Sequence, residues 1–118
     1  YEGCSVSGEP VTVHGDPALL RRLLRNLVEN ALRHGKPPVS VSVNRESGRS
    51  ALRVSDKGPG IADSEIESVF EPFRRARHAN TTGTGLGLSL VRKIARHHGG
   101  DASIEINGPG GLVVLVIL

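Results

Sequence analysis

The sequence predicts an α+β two-layer sandwich, a mostly antiparallel sheet with helices packed on one face, and three observations carry that prediction. Some stretches repeat apolar residues at helical spacing, others alternate apolar with polar residues, and the two kinds follow one another as β-α-β-β-α-loop-α-β-β.

Taken in order, Val11 and Val13 alternate with Thr12 and His14, which predicts a short strand ended by Gly15. Asp16-Pro17 opens a helix, since an Asp side chain accepts from free backbone amides and Pro at the first helical position loses no hydrogen bond. Leu20, Leu24, Leu27, Val28 and Ala31 are expected to form its buried face, and Gly35-Lys36-Pro37-Pro38 to end it. Val39, Val41 and Val43 alternate with polar residues, and Glu46-Ser47-Gly48-Arg49 turns this strand into an antiparallel partner carrying Leu52 and Val54. Residues 62–69 predict a short helix, and 71–82 have no periodicity and predict a mobile loop. Leu86, Leu90, Val91, Ile94 and Ala95 mark another helix, with Arg96, His97 and His98 in its last turn and Gly99-Gly100 as its stop. Strands over 102–106 and 112–118 close the chain.

A chain of 118 residues with 37% apolar content suits one core. It has no apolar run of about 18 residues and no signal-peptide pattern, so this piece is expected to be soluble, and, with a single cysteine giving no sign of an oxidising compartment, cytoplasmic, any inner-membrane anchor lying elsewhere in a parent protein. The absence of methionine leads us to expect a fragment. The single Cys4 leaves no intramolecular disulfide and no thiolate metal cluster. Net charge is only +3, but it gathers in the arginines around Arg21 to Arg33, Arg74 to Arg77 and Arg92 to Arg96. Two Phe and one Tyr give little surface for stacking bases, so a local phosphate ligand is expected and nucleic acid is not.

Three features carry chemistry. Asn26, Glu29, Asn30 and Arg33 fall at i, i+3, i+4 and i+7, one polar stripe on a helix. Asn is a poor helix former, so two on one stripe suggest side chains committed to a ligand, and an amide oxygen suits magnesium; a solvated helix face is the other reading. Asp56-Lys57-Gly58-Pro59-Gly60-Ile61 ends an apolar strand. A carboxylate there can select a base bearing an exocyclic amine, although a plain strand-end turn uses the same residues. Gly83-Thr84-Gly85-Leu86-Gly87-Leu88 leads into a helix, where free amides and the helix dipole suit a polyphosphate. This loop follows a polar segment and not a strand, which argues against a dinucleotide-binding βαβ unit, and the only Gly-Lys is Gly35-Lys36, so it is not a P-loop.

Together, Asn26-Leu27-Val28-Glu29-Asn30-Ala31, Asp56-x-Gly58-x-Gly60, Phe70-Glu71-Pro72-Phe73 and Gly83-x-Gly85-Leu86-Gly87-Leu88 resemble the N, G1, F and G2 boxes of sensor histidine kinases, in the family's order. The resemblance covers nearly the whole chain and implies a single domain, 1–118, with the Bergerat ATP-binding fold of the GHKL ATPases. It implies that Asn30 ligates Mg2+, that Asp56 reads the adenine amine with Gly58, Gly60 and Ile61 beside the ring, and that Arg33 and His34 lie near phosphates and base. Residues 70–85 then match an ATP lid, in which Phe73 and Thr82 touch the nucleotide and Arg74 or Arg75, ahead of Arg77, neutralises the γ-phosphate. Gly83, Thr84, Gly85, Leu86, Gly87 and Leu88 match the phosphate cradle.

Hydrolytic relatives carry a glutamate where this chain has Asn26, and an amide cannot take a proton from water. Glu29 is left with a catalytic and a structural reading. None of the five histidines has the His-Glu neighbourhood of a phosphoacceptor. The resemblance therefore implies a kinase that hands the γ-phosphoryl group of Mg-ATP to a histidine on an upstream dimerisation domain. The parent would be a homodimer signalling to a response regulator. A nucleotide-sensing module without transfer, or an ATPase fragment, are the alternatives.

Overall fold

The computed structural model describes residues 4–71 and 87–118. Its elements are β1 (Cys4–Gly8), α1 (Pro17–His34), β2 (Val39–Glu46), β3 (Arg49–Ser55), 3-10 turns at Asp63–Glu65 and Ser68–Phe70, α2 (Gly87–His97), β4 (Asp101–Gly108) and β5 (Gly111–Ile117). The strands form one sheet in the order β1-β2-β3-β5-β4; β1 joins β2 in parallel and every other pair is antiparallel. No helix among the described residues is long and apolar enough to cross a membrane.

Alternation decides which side of the sheet is covered. Val41 lies opposite Val54, Val54 opposite Val114 and Val114 opposite Ile104, while Leu52 lies opposite Val116 and Val116 opposite Ala102. These rungs meet Leu23, Leu27, Val28 and Ala31 of α1 and Val91, Ile94 and Ala95 of α2 in one core. The helix ends are closed as the sequence predicts. Asp16 Oδ1 accepts from the Ala18 and Leu19 amides at 2.9 and 3.3 Å, which is the expected N-cap. At the end of α2, Gly99 N–H donates to Arg96 O and Gly100 N–H to Ala95 O, the paired bonds of a Schellman stop. His98 then joins the two helices: its Nδ1 bonds Ile94 O at 2.8 Å, and Nε2 accepts from the Asp16 amide at 3.2 Å.

Three expectations need correction. The first strand is Cys4–Gly8, not 11–14. Pro10 has no amide to donate, and past Gly8 the Glu9 carboxylate takes the Arg45 N–H at 2.7 Å, so a side chain replaces the next strand residue. Residues 62–69 form no α-helix but two 3-10 turns, and no side chain caps the first of them. On α1, Leu23 fills the core beside Leu27, while Leu24 remains 40% exposed; one turn before Val28 the cover over this side of the helix ends. The lid over 70–85 and the predicted loop lie, from 72 to 86, outside the described residues.

The sheet's other face carries an ion cluster. Arg53 bonds Glu46, and its Nε bonds Glu105 at 2.7 Å. Each of these glutamates is held below the ordinary carboxyl value, first by its hydrogen bond from Arg53. They bind protons less tightly folded than unfolded, so their stabilising contribution is complete above the ordinary value of 4.5 and is lost as pH falls below it. Urea midpoints measured from about pH 6 down to about pH 3 should therefore fall less in Arg53→Met than in the parent sequence. Equal slopes for the two proteins would contradict the cluster.

Candidate nucleotide-binding site

The alternation that buries Leu52 and Val54 continues one step past β3 and places Asp56 on the same face, at 6% exposure. A carboxylate in that position needs hydrogen bonds, because burial without them is costly. The Asp56 amide donates to Leu112 O at 3.0 Å, and Oδ1 accepts from the Gly58 amide at 2.7 Å. Among the described residues nothing donates to Oδ2, and no buried side-chain oxygen is sealed without a partner. Asp56 thus presents one committed oxygen and one open acceptor at the edge of the core.

Helix α1 ends against this group. A Cβ on Gly35 would sit 2.3 Å from Asp56 Cγ and 2.5 Å from Oδ2, so only glycine fits between helix end and carboxylate. The Lys57 amide donates to Lys36 O at 2.8 Å, which ties the Asp56 loop to the chain leaving α1. The loop itself turns at Gly60, with φ +77, a conformation that residues with a Cβ rarely adopt. The polar stripe of α1 therefore runs toward Asp56: Asn26, Glu29 and Asn30 are half-buried, and Arg33 and His34 are exposed at the last turn beside Gly35. Although His34 is exposed, partial desolvation of its ring by the surrounding chain, and after it the charge of Arg33, lowers its pKa from the ordinary 6.5.

Of the predicted residues, the structure brings Arg33, His34, Asp56 and Gly58 together around Gly35, continues the stripe back through Asn30, Glu29 and Asn26, and sets Gly60 and Ile61 on the adjoining turn. Gly87 and Leu88 form the half-buried first turn of α2, which packs on α1. Phe73, Arg74, Arg75, Thr82, Gly83, Thr84, Gly85 and Leu86 lie outside the described residues. Phe70, the first residue of the expected lid, is buried beneath the Arg92 guanidinium, 4.3 Å from the ring centroid.

Two residues of the site escaped the sequence reading. Gly35 reads only as a helix stop, and Asn107, far along the chain, bonds both backbone groups of Ile61. A polar cavity of about 440 Å³ opens elsewhere, among His14, Arg45, Arg49 and His98 at the β2–β3 turn, and holds none of the predicted residues. The donor chemistry fits magnesium held mainly by phosphates: Asn30 offers a neutral amide oxygen on the half-buried stripe, one helical turn before the end that abuts Asp56.

Residues 15–118 match the model of the histidine kinase-, DNA gyrase B- and HSP90-like ATPases. The chain belongs to that family. It is similar to the sensor protein CutS of Streptomyces coelicolor, 42% identical across 99% of the chain and 30% of CutS. It is also similar to the sensor histidine kinase YkoH of Bacillus subtilis, 37% identical across 90% of the chain and 24% of YkoH. Among solved structures, the mycobacterial sensor histidine kinase MprB superposes with a TM-score of 0.83 at 31% identity, over 98% of this chain and 81% of that one. The α+β sandwich expected from the sequence is thus the fold of histidine kinase ATP-binding domains. The chain spans less than a third of the curated relatives it matches.

Two outcomes check this geometry. Gly35→Ala forces the Asp56 carboxylate from its seat and should lower the unfolding free energy by about 1–3 kcal/mol, read from urea denaturation; an unchanged midpoint would show the contact to be loose. In an NMR titration the His34 ring should protonate below 6.5, and Arg33→Ala should raise its midpoint. A His34 midpoint at or above 6.5 would contradict the partial desolvation of its ring.

Proposed function

We propose that this domain binds Mg-ATP between the Asp56 loop and the polar stripe of α1, and donates the γ-phosphoryl group to a histidine on a separate upstream domain of its parent protein. The observation that carries the reading is Asp56 itself. Its open Oδ2 is an acceptor set at the lip of an apolar core, suited to the exocyclic amine of adenine and unsuited to a base that presents a carbonyl there. Gly58, Gly60 and Ile61 are proposed to lie beside the ring, and His34, whose pKa is lowered from the ordinary 6.5, to add a polar edge there.

Asn30 is proposed to ligate Mg2+, and Arg33 to face the phosphates. The metal would supply charge neutralisation on the phosphates as charge redistributes in transfer. Arg74 and Arg75 are proposed to add positive charge at the γ-phosphate, with Gly83, Thr84, Gly85, Leu86, Gly87 and Leu88 cradling the chain and Phe73 and Thr82 closing over it. Asn26 has no proton-accepting group, which favours transfer to a positioned imidazole over activation of water. Glu29 is proposed to assist that acceptor.

In this reading the parent is a homodimer of the two-component class, its catalytic domain is cytoplasmic, and a response regulator takes the phosphoryl group onward. Incubating the full-length parent with γ-labelled ATP should give an acid-labile, base-stable phosphoprotein, and Asn30→Ala should reduce it at least 100-fold by removing the metal ligand, on the order of the loss known for misplaced charge stabilisation. Steady ATP turnover with no phosphohistidine would overturn transfer and leave an ATPase.

A further inference from the structure

We infer that Asn107, outside all four boxes, is a positioning residue for the base-reading loop, which it holds from the β4–β5 hairpin. The inference rests on the proposed reading of adenine by Asp56 and Ile61.

The contact is reciprocal. The Ile61 amide donates to Asn107 Oδ1 at 2.9 Å, and Asn107 Nδ2 donates to Ile61 O at 2.8 Å, with Asp63 Oδ1 at 3.5 Å from the same nitrogen. One side chain thus takes both backbone polar groups of one residue, as a neighbouring strand would. Ile61 has one donor and one acceptor, so the orientation of the Asn107 amide is fixed by its partners. A loop turning at Gly60 has left the sheet and has no strand residue opposite it, and without Asn107 these two groups would lose their protein partners.

The fold aims Asn107 at this task. Register in β4 shifts between Ile104 and Ile106: Ile104 faces Val114, but Ile106 faces Val113 and Asn107 faces Leu112. The extra residue, Glu105, sends Ile106 to the outer face, where it is 57% exposed, and rotates Asn107 to the side that carries Leu112, Val114 and Asp56. Bulges beside active sites commonly re-aim a side chain in this way. The hairpin also holds the other end of the loop. The Asp56 amide bonds Leu112 O, and a Cβ on Gly111 would fall 2.1 Å from Asp56 O. A Cβ on Gly60 would strike Asn107 Oδ1 at 2.4 Å and Gly108 O at 2.8 Å, so the middle of the loop lies on the hairpin as well. Asp56 is held by backbone, Ile61 by a side chain, and the stretch between them has its two ends fixed on one support.

Asn107 does not touch the base in this account; it sets where Ile61 and the turn lie relative to the Asp56 carboxylate. Its loss should therefore damage discrimination between bases more than it damages the fold. The test titrates the chain by calorimetry with Mg-ATP and with Mg-ITP, whose base carries a carbonyl in place of the amine. Two variants are compared: Asn107→Ala, which removes both bonds, and Asn107→Asp, which keeps the shape but sets a carboxylate oxygen against Ile61 O. Each should weaken ATP about tenfold, the scale of two lost hydrogen bonds, while ITP changes less than about twofold. Ile61 amide hydrogen exchange should accelerate in both.

Variants that keep the wild-type ATP-over-ITP ratio, or that lose both ligands equally, would overturn the inference, as would an Asp variant indistinguishable from wild type or an unchanged Ile61 exchange rate. A wild-type chain with no preference for ATP over ITP would instead sink the adenine reading of Asp56, and with it the role given to Asn107. The two failures are thereby distinguished.

Discussion

A carboxylate at the edge of an apolar core is tolerated only if its surroundings supply fixed dipoles, and the placement of Asp56 imposes that condition on three separate parts of this chain. The end of α1 must come close enough for Gly35 to touch the carboxyl group, the loop must turn so that the Gly58 amide reaches Oδ1, and β5 must offer Leu112 O to the Asp56 amide. Each contact belongs to a different element, so the carboxylate is in place only when helix, loop and hairpin are assembled together. The open Oδ2 is what remains after those requirements are met. Placing the same residue on an exposed strand end would leave both oxygens to water.

The two faces of the sheet divide the labour, and one bulge serves both. On the outer face the extra residue in β4 lets Glu105 reach Arg53, which also holds Glu46. On the inner face the same shift brings Asn107 to Ile61. A single inserted residue thus couples the ion cluster that spans β2, β3 and β4 to the geometry of the loop. The inner side is held mainly by apolar burial. The outer cluster, more exposed and screened by solvent, adds modestly to stability and is the side that acid weakens.

What could be read from the sequence follows how local each cause is. Both ends of α1 were legible because Asp16-Pro17 and Gly35 act through neighbours within one turn, and the β2–β3 turn because Ser47 and Gly48 carry positive φ in a two-residue connection. Asp56 was legible because it extends an alternation already visible in Leu52 and Val54. β1 was not. It is an edge strand with Val6 at 76% exposure, so no alternation between core and solvent marks it, whereas the half-buried Val11 and Val13 imitate one. The 62–69 segment misled because Ile66, Val69 and Phe70 sit at helical spacing in a stretch too short and too poorly capped to hold an α-helix. Gly35 and Asn107 were hidden for another reason: their roles exist only across contacts between distant segments, and neither residue type announces such a contact.

Helix α1 carries the cost of the site and shows how a fold absorbs it. Asn at two interior positions disfavours a helix by roughly half a kcal/mol each relative to alanine, and the stripe they form with Glu29 and Arg33 gives up apolar contact on that side. The opposite side compensates. Leu23 and Leu27 are each 1% exposed, the N-terminus is capped twice by Asp16, and the Asp16 amide is anchored in turn by His98 from the end of α2. Gly15 belongs to the same arrangement, since a Cβ there would lie 2.3 Å from the His98 ring. The helix is therefore fixed at both ends by contacts outside its own sequence, one at His98 and one at Asp56. Polar residues in its middle are then tolerated despite their poor helix propensity, because the helix does not depend on propensity to stay folded.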